Sequence, residues 1–159
     1  MEIERKFLID AFPPLPVKES AVMRQGYLAV DPTVRIRSKE TAERIDYKLC
    51  FKGEGTLARE EIELPLTAEV FGRLTELLKG ALIVKEYRTY TLPGGLTLEA
   101  SLVDPGAETA FLYAEVEFPT IEEALAFEPP SYLGQDVTER PGYGMSQYWE
   151  RTRLSKDRA

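Results

Sequence analysis

Glu2-Ile3-Glu4-Arg5-Lys6-Phe7 opens the chain as an alternating stretch, and its reading decides the fold. Along a β-strand successive side chains leave on opposite faces. Glu2, Glu4 and Lys6 therefore share one face, with Ile3, Arg5 and Phe7 on the other. Same-face neighbours lie roughly 7 Å apart, a spacing that lets two carboxylates approach one hard cation without opposing each other directly. Alone, the segment reads first as an ordinary strand with its apolar side inward and its charges in water. Recurrence of the pattern gives it more meaning.

Alternation returns along the chain. Residues 23–30 form a second strand centred on Arg24-Gln25-Gly26-Tyr27-Leu28, where Gly26 marks a bulge or a close backbone approach. After an Asp31-Pro32 turn, residues 33–39 put Arg35, Arg37 and Lys39 on one face and Val34 and Ile36 on the other. Residues 44–52 set Lys48, Cys50 and Lys52 in phase, and Gly53-Glu54-Gly55 makes a hairpin turn. Residues 57–64 return with Arg59, Glu61 and Glu63 on one face, and Pro65 ends that strand. Three more strands follow over residues 81–92, 96–103 and 111–118; the last aligns Tyr113, Glu115 and Glu117. Between them, Thr67 caps a helix over residues 68–79 with Val70, Phe71, Leu74, Leu77 and Leu78 as its apolar stripe and Gly80 as its stop. Thr120-Ile121-Glu122-Glu123 is a capping box for a short helix, and residues 145–154 form a last amphipathic helix around Tyr148, Trp149 and Leu154.

Composition bounds the chemistry. A length of 159 residues suits one domain, expected over residues 1–155 with a disordered tail at 156–159. With 43% hydrophobic and 30% charged residues, and no long apolar run, a soluble cytoplasmic protein with no membrane span is expected. One cysteine, Cys50, excludes an internal disulfide. A net charge of −7 argues against bulk nucleic-acid binding. Histidine is absent, which removes Ser-His-Asp triads, Cys-His pairs and the usual zinc sites. A metal here must be held by carboxylates, which favours Mg²⁺ or Mn²⁺.

Eight hairpin-linked strands predict a mainly β (α+β) protein, an eight-stranded antiparallel barrel with accessory helices. The charges on its polar face are segregated strand by strand: acidic in the first, basic in the third and fourth, acidic again in the fifth and eighth. A surface built only for solubility mixes signs. Segregation suits a wide, hydrated interior that binds a cation beside a polyanion, and a polyphosphate carrying Mg²⁺ or Mn²⁺ meets both needs.

Glu2-Ile3-Glu4-Arg5-Lys6 resembles the Glu-x-Glu-x-Lys signature of the CYTH, or triphosphate tunnel metalloenzyme, family. The resemblance continues through Gln25-Gly26-Tyr27-Leu28, Arg35-x-Arg37, Lys52 with Arg59-x-Glu61-x-Glu63, Lys85 with Arg88, residues 114–118 and residues 133–138, so it spans nearly the whole chain. It implies an eight-stranded antiparallel tunnel and a metal-dependent hydrolase of a triphosphate compound, first of all inorganic tripolyphosphate. A polyphosphate- or nucleotide-binding tunnel with little turnover, or a class IV adenylate cyclase, stands as the alternative. Carried over by position, the resemblance implies Glu2, Glu4 and Glu117 as metal ligands, with Glu61, Glu63 and Glu115 as neighbouring acids. It also implies a phosphate cradle of Lys6, Arg35, Arg37, Lys52, Arg59, Lys85 and Arg88, and catalytic roles for Glu4, Lys6, Lys52 and Lys85. The implied partner is a triphosphate-containing small molecule, and homodimerisation is left open. Three departures stand out. Cys50 replaces a Thr. Lys85-Glu86-Tyr87-Arg88 replaces Lys-x-Arg, so that both cations face inward only through a one-residue bulge. Ser101 and Tyr143-Gly144-Met145 stand where an acid and Tyr-x-Asn are common, with Glu99 a candidate substitute for the acid.

Overall fold

The computed structural model describes residues 1–154. Nine strands form one antiparallel sheet: β1 Glu2–Leu8, β2 Glu19–Val30, β3 Thr33–Glu40, β4 Ile45–Lys52, β5 Ala58–Arg59, β6 Glu61–Leu66, β7 Ile83–Thr91, β8 Thr97–Val103 and β9 Phe111–Glu117. Their spatial order is β5-β1-β9-β8-β7-β2-β3-β4-β6. The two ends of that order, β5 and β6, are consecutive in the chain with only Glu60 between them. One chain segment therefore pairs with β1 through its first half and with β4 through its second, and this closes the sheet into a barrel. The strand expected over residues 57–64 is this divided segment, which accounts for nine strands in place of eight.

Register follows the alternation read from the sequence. Phe7 is fully buried in an outer core with Leu98, Ala100, Ala114, Val116 and Ala124, while Glu2, Glu4 and Lys6 face the barrel interior. Arg5 points outward, as its phase requires, and donates to the carbonyls of Ala124 and Phe127 and to Asp136. Gly26 is a close approach: a Cβ there would lie 2.5 Å from Leu78 Cδ1, and the irregularity in the β2–β3 ladder falls just after it, between Tyr27 and Ala29.

Several expected boundaries shift for identifiable reasons. Pro65 lies inside β6, opposite Lys48, rather than ending it. Its missing N–H faces the side of β6 that has no partner strand. The helix α1, Ala68–Thr75, is capped by the Thr67 hydroxyl, which accepts from the Val70 N–H, but it stops before the expected residue 79. Only Phe71 of its stripe is buried, against Tyr47 at 5.0 Å between ring centres, while Val70 and Leu77 are exposed. β7 starts at Ile83 because the carbonyls of Ala81 and Leu82 accept from Arg153 instead of a neighbouring strand. Helix α2, Ile121–Ala126, lies against β1. The last expected helix divides into α3, Met145–Trp149, and a wider π turn, Glu150–Leu154. Tyr148 and Trp149 pack against Tyr27, Ile83, Val103 and Tyr113. The expected tail at 156–159 lies outside the described residues. No helix among the described residues is long and apolar enough to cross a membrane.

Candidate functional site

Inward side chains of the barrel surround a cavity of about 1000 Å³. One wall is acidic. β9 sets Glu117 opposite Glu4 and Glu115 opposite Lys6, and β8 sets Glu99 opposite Glu115. Residues directly opposed across a ladder share a face, so these carboxylates converge from neighbouring strands. Carboxylate oxygens of Glu2, Glu4 and Glu117 lie within 4.8 Å of one another, and so do those of Glu4, Glu99 and Glu115.

The facing wall is basic. Arg35 and Arg37 come from β3, Lys52 from β4, Arg59 from β5 and Lys85 from β7, all lining the cavity with Lys6. Lys52 Nζ donates to Glu2 at 3.2 Å and lies 3.3 Å from Glu61, and Arg59 Nε donates to Glu2 at 3.4 Å. Glu63 lies 3.9 Å from Arg35 and 3.5 Å from Lys48. Glu61 and Glu63 thus stand on the basic wall, grouped with Cys50 and held by cations, and Glu61 reaches the Glu2–Glu4–Glu117 cluster through a side-chain hydrogen bond with Glu2. Lys85 Nζ donates to the Tyr113 hydroxyl at 3.0 Å. The Lys6 ammonium sits 4.2 Å from the centre of the Tyr113 ring and donates to the Tyr143 carbonyl.

Crowding sets the protonation of the acidic wall. Burial, and then the neighbouring Glu115 and Glu2 carboxylates, push the Glu4 carboxyl well above its ordinary range. Glu117 is pushed up to about 7 by burial and by Glu99 and Glu2. Burial also acts on Glu115, but the Lys6 ammonium, a hydrogen bond from Glu4 and the more distant Lys52 and Lys85 outweigh it and bring it down to about 2. Lys85 is driven well below its ordinary value by burial and then by Arg37. Among the described residues, no carboxylate forms an ion pair with Lys85 or Arg37. Carboxyls whose crowding raises the proton affinity of Glu4 and Glu117, set across the cavity from Arg37 and Lys85, which have no carboxylate ion pair among the described residues, suit a metal and a polyanion together. An all-oxygen cluster of Glu2, Glu4 and Glu117 suits a hard divalent cation.

Arg88 does not join the cradle. β7 pairs with β2 without interruption from Lys85 opposite Met23 to Arg88 opposite Ser20, and the β8 ladder is equally regular. Without a bulge, Lys85 and Tyr87 face inward and Arg88 outward, its guanidinium 4.0 Å from the centre of the Phe12 ring. Tyr87 occupies the place that the bulge would have given to Arg88, and it donates to Glu99. The sequence reading assigned no role to Gln25, Tyr27, Tyr87 or Tyr113, all of which line the cavity. The signal for them was the same alternation, since each is two residues from another inward side chain. Cys50 is 1% exposed, and burial pushes its thiol up despite the nearby Arg35, as fits a small buried wall residue.

No protein-family model matches the chain. An inorganic triphosphatase of Nitrosomonas europaea is 34% identical over 142 residues, covering 89% of this chain and 92% of that protein. The chain belongs to the CYTH triphosphate tunnel family. An inorganic triphosphatase of Acetivibrio thermocellus is 28% identical over 145 residues, covering 89% of this chain and 88% of the relative. A crystal structure of an inorganic triphosphatase superposes with a TM-score of 0.66 at 30% identity, covering 98% of this chain and 95% of the other. The CYTH tunnel of this chain keeps its inward Glu-x-Glu-x-Lys face and its Arg35-x-Arg37 pair, while Tyr87 stands inward where Arg88 was expected.

Proposed function

We propose that this chain is a metal-dependent hydrolase of inorganic tripolyphosphate. The observation that carries the reading is the opposition of two walls across one cavity, carboxylates from β1, β8 and β9 facing cations from β3, β4, β5 and β7. The 34% identical relative named inorganic triphosphatase supports the choice of substrate.

The residues present suit Mg²⁺ or Mn²⁺, which Glu2, Glu4 and Glu117 would hold, with Glu115 adjoining through Glu4. When bound, such a cation supplies Lewis acidity toward phosphate oxygens. The chain's own groups do the rest. Arg35 and Arg37 present planar forks to phosphate oxygens, and Lys6, Lys52 and Lys85 add point charge where negative charge builds during transfer. Arg59, anchored on Glu2, ties the basic wall to the acidic one. The alkylammonium of Lys85, buried with its pKa driven down, regains its proton affinity beside a polyanion. The barrel wall surrounds the substrate with these fixed charges, which act there across less water than in bulk solvent.

Product analysis tests the reading. Incubation with tripolyphosphate and Mg²⁺ or Mn²⁺ should yield phosphate and pyrophosphate in equal amounts, with ATP cleaved far more slowly. Cyclic AMP and pyrophosphate from ATP would assign the cyclase reaction instead. Tight tripolyphosphate binding without any cleavage would make the chain a binding protein.

A further inference from the structure

Gln25 sits on β2 with its side chain in the cavity wall, and it is fully buried. Its Nε2 donates to the Tyr27 hydroxyl at 3.1 Å. Its Oε1 is buried and has no hydrogen-bond partner among the described residues. Such a group in a folded interior calls for an explanation, because a buried acceptor deprived of water is costly. The groups around it do not supply one. Arg37 lies directly opposite on β3 and Arg35 lies opposite Tyr27, yet neither donates to Oε1. Arg35 itself has an unpartnered Nε in the same wall.

The chemistry of the substrate narrows the candidates. Arg35, Arg37 and Lys85 are donors, matched to phosphate oxygens, which accept. A neutral amide oxygen set among them gains nothing from a deprotonated phosphate, since both are acceptors. The second reactant of a hydrolysis is water, and it carries the O–H that this oxygen lacks. We infer that Gln25 orients the attacking water: Oε1, closed off from the free cavity, becomes accessible when Arg35 and Arg37 shift to grip the substrate, and then accepts one of the water's protons while Tyr27 holds the other end of the amide. The inference rests on the hydrolase reading above.

The step balances within the reactants. A lone pair on the water oxygen forms the new P–O bond as the anhydride P–O bond breaks, and that bond's electrons leave with pyrophosphate. One water proton remains on the released phosphate and the other ends on pyrophosphate. The amide takes no proton; it fixes the direction of attack, and geometry of this kind is worth much in rate.

Two variants test it, with turnover of tripolyphosphate and calorimetric affinity for the non-hydrolysable imidotriphosphate measured on each. Gln25→Met keeps the length and removes the acceptor, so kcat should fall about 100-fold. Its affinity for imidotriphosphate should stay within about twofold, because no phosphate contact is lost. Gln25→Glu restores an acceptor oxygen and should recover part of kcat while raising KM through its negative charge. A fall in imidotriphosphate affinity with kcat kept in Gln25→Met would make Gln25 a phosphate ligand and overturn the inference, and so would unchanged kinetics in both variants. Wild-type turnover in the same assay separates the two claims: normal wild-type hydrolysis with unaffected variants sinks only the role of Gln25, whereas absent wild-type hydrolysis sinks the hydrolase reading itself.

Discussion

Arg37 and Arg88 have the same side chain and opposite placements. Arg37 lines the cavity without a carboxylate ion pair among the described residues, while Arg88 covers Phe12 on the outside of the barrel. Arg37→Ala should therefore weaken imidotriphosphate binding by about tenfold or more, the loss of a charge-assisted contact, and Arg88→Ala should leave it unchanged. Equal losses in calorimetry would contradict the register of β7. Arg5→Ala should also leave affinity intact and instead lower the melting temperature, because Arg5 satisfies the carbonyls of Ala124 and Phe127 at the end of α2. Cys50 provides a chemical check on the wall. Buried, with its thiol pushed up, it should react with iodoacetamide only after denaturation; prompt alkylation of the folded protein would show that the wall opens there.

The strands were legible because a two-residue period is hard to imitate: Glu2, Glu4, Lys6, Arg35, Arg37 and Lys52 all face inward as their phase requires. Arg88 was misplaced because a family pattern was laid over Lys85-Glu86-Tyr87-Arg88, whereas plain alternation puts Tyr87 inward. The division of the fifth strand at Glu60 and the persistence of β6 through Pro65 depend on which edges find partners, and no local residue pattern encodes that. The C-terminal turn was equally hidden, since its anchor is distant in sequence. Arg153 donates to Asp104 at 2.7 Å and to the carbonyls of Ala81 and Leu82, and Tyr148 donates to Asp104 at 2.6 Å. Burial acts to raise the Asp104 carboxyl, but hydrogen bonds from Arg153, Tyr148 and the Val84 N–H bring it below its ordinary value. A carboxyl depressed in the folded state contributes stability above its unfolded pKa, about 3.9, and loses it as pH falls through the lower folded value. Asp104→Asn should cost about 2 kcal/mol in urea unfolding at pH 7. Its deficit relative to wild type should shrink in acid; a deficit that grows below about pH 4 would contradict this linkage.

Closing the sheet through β5 and β6 sets an acidic and a basic wall face to face, and the balance between them governs the whole molecule's response to metal and pH. With Glu4 held well above its ordinary range and Glu117 at about 7, a divalent cation must displace protons to bind. Mn²⁺ binding at pH 6.5 to 7 should therefore release protons, seen as a calorimetric enthalpy that changes with the buffer's ionisation enthalpy, and affinity should rise with pH through this range. An enthalpy independent of buffer would mean that the acids are already ionised. The two walls have one joint purpose in this account, which is to hold a metal and a triphosphate for hydrolysis, and Glu4 is the residue that both carboxylate clusters share. The most direct test is the initial rate of phosphate release from tripolyphosphate, measured for the wild type with Mg²⁺, for the wild type with excess chelator, and for Glu4→Gln with Mg²⁺. Rapid release in the first and loss of all but a trace in the other two is the predicted result. Release that survives chelator or the Glu4→Gln substitution, or no release from folded wild-type protein, would contradict the account.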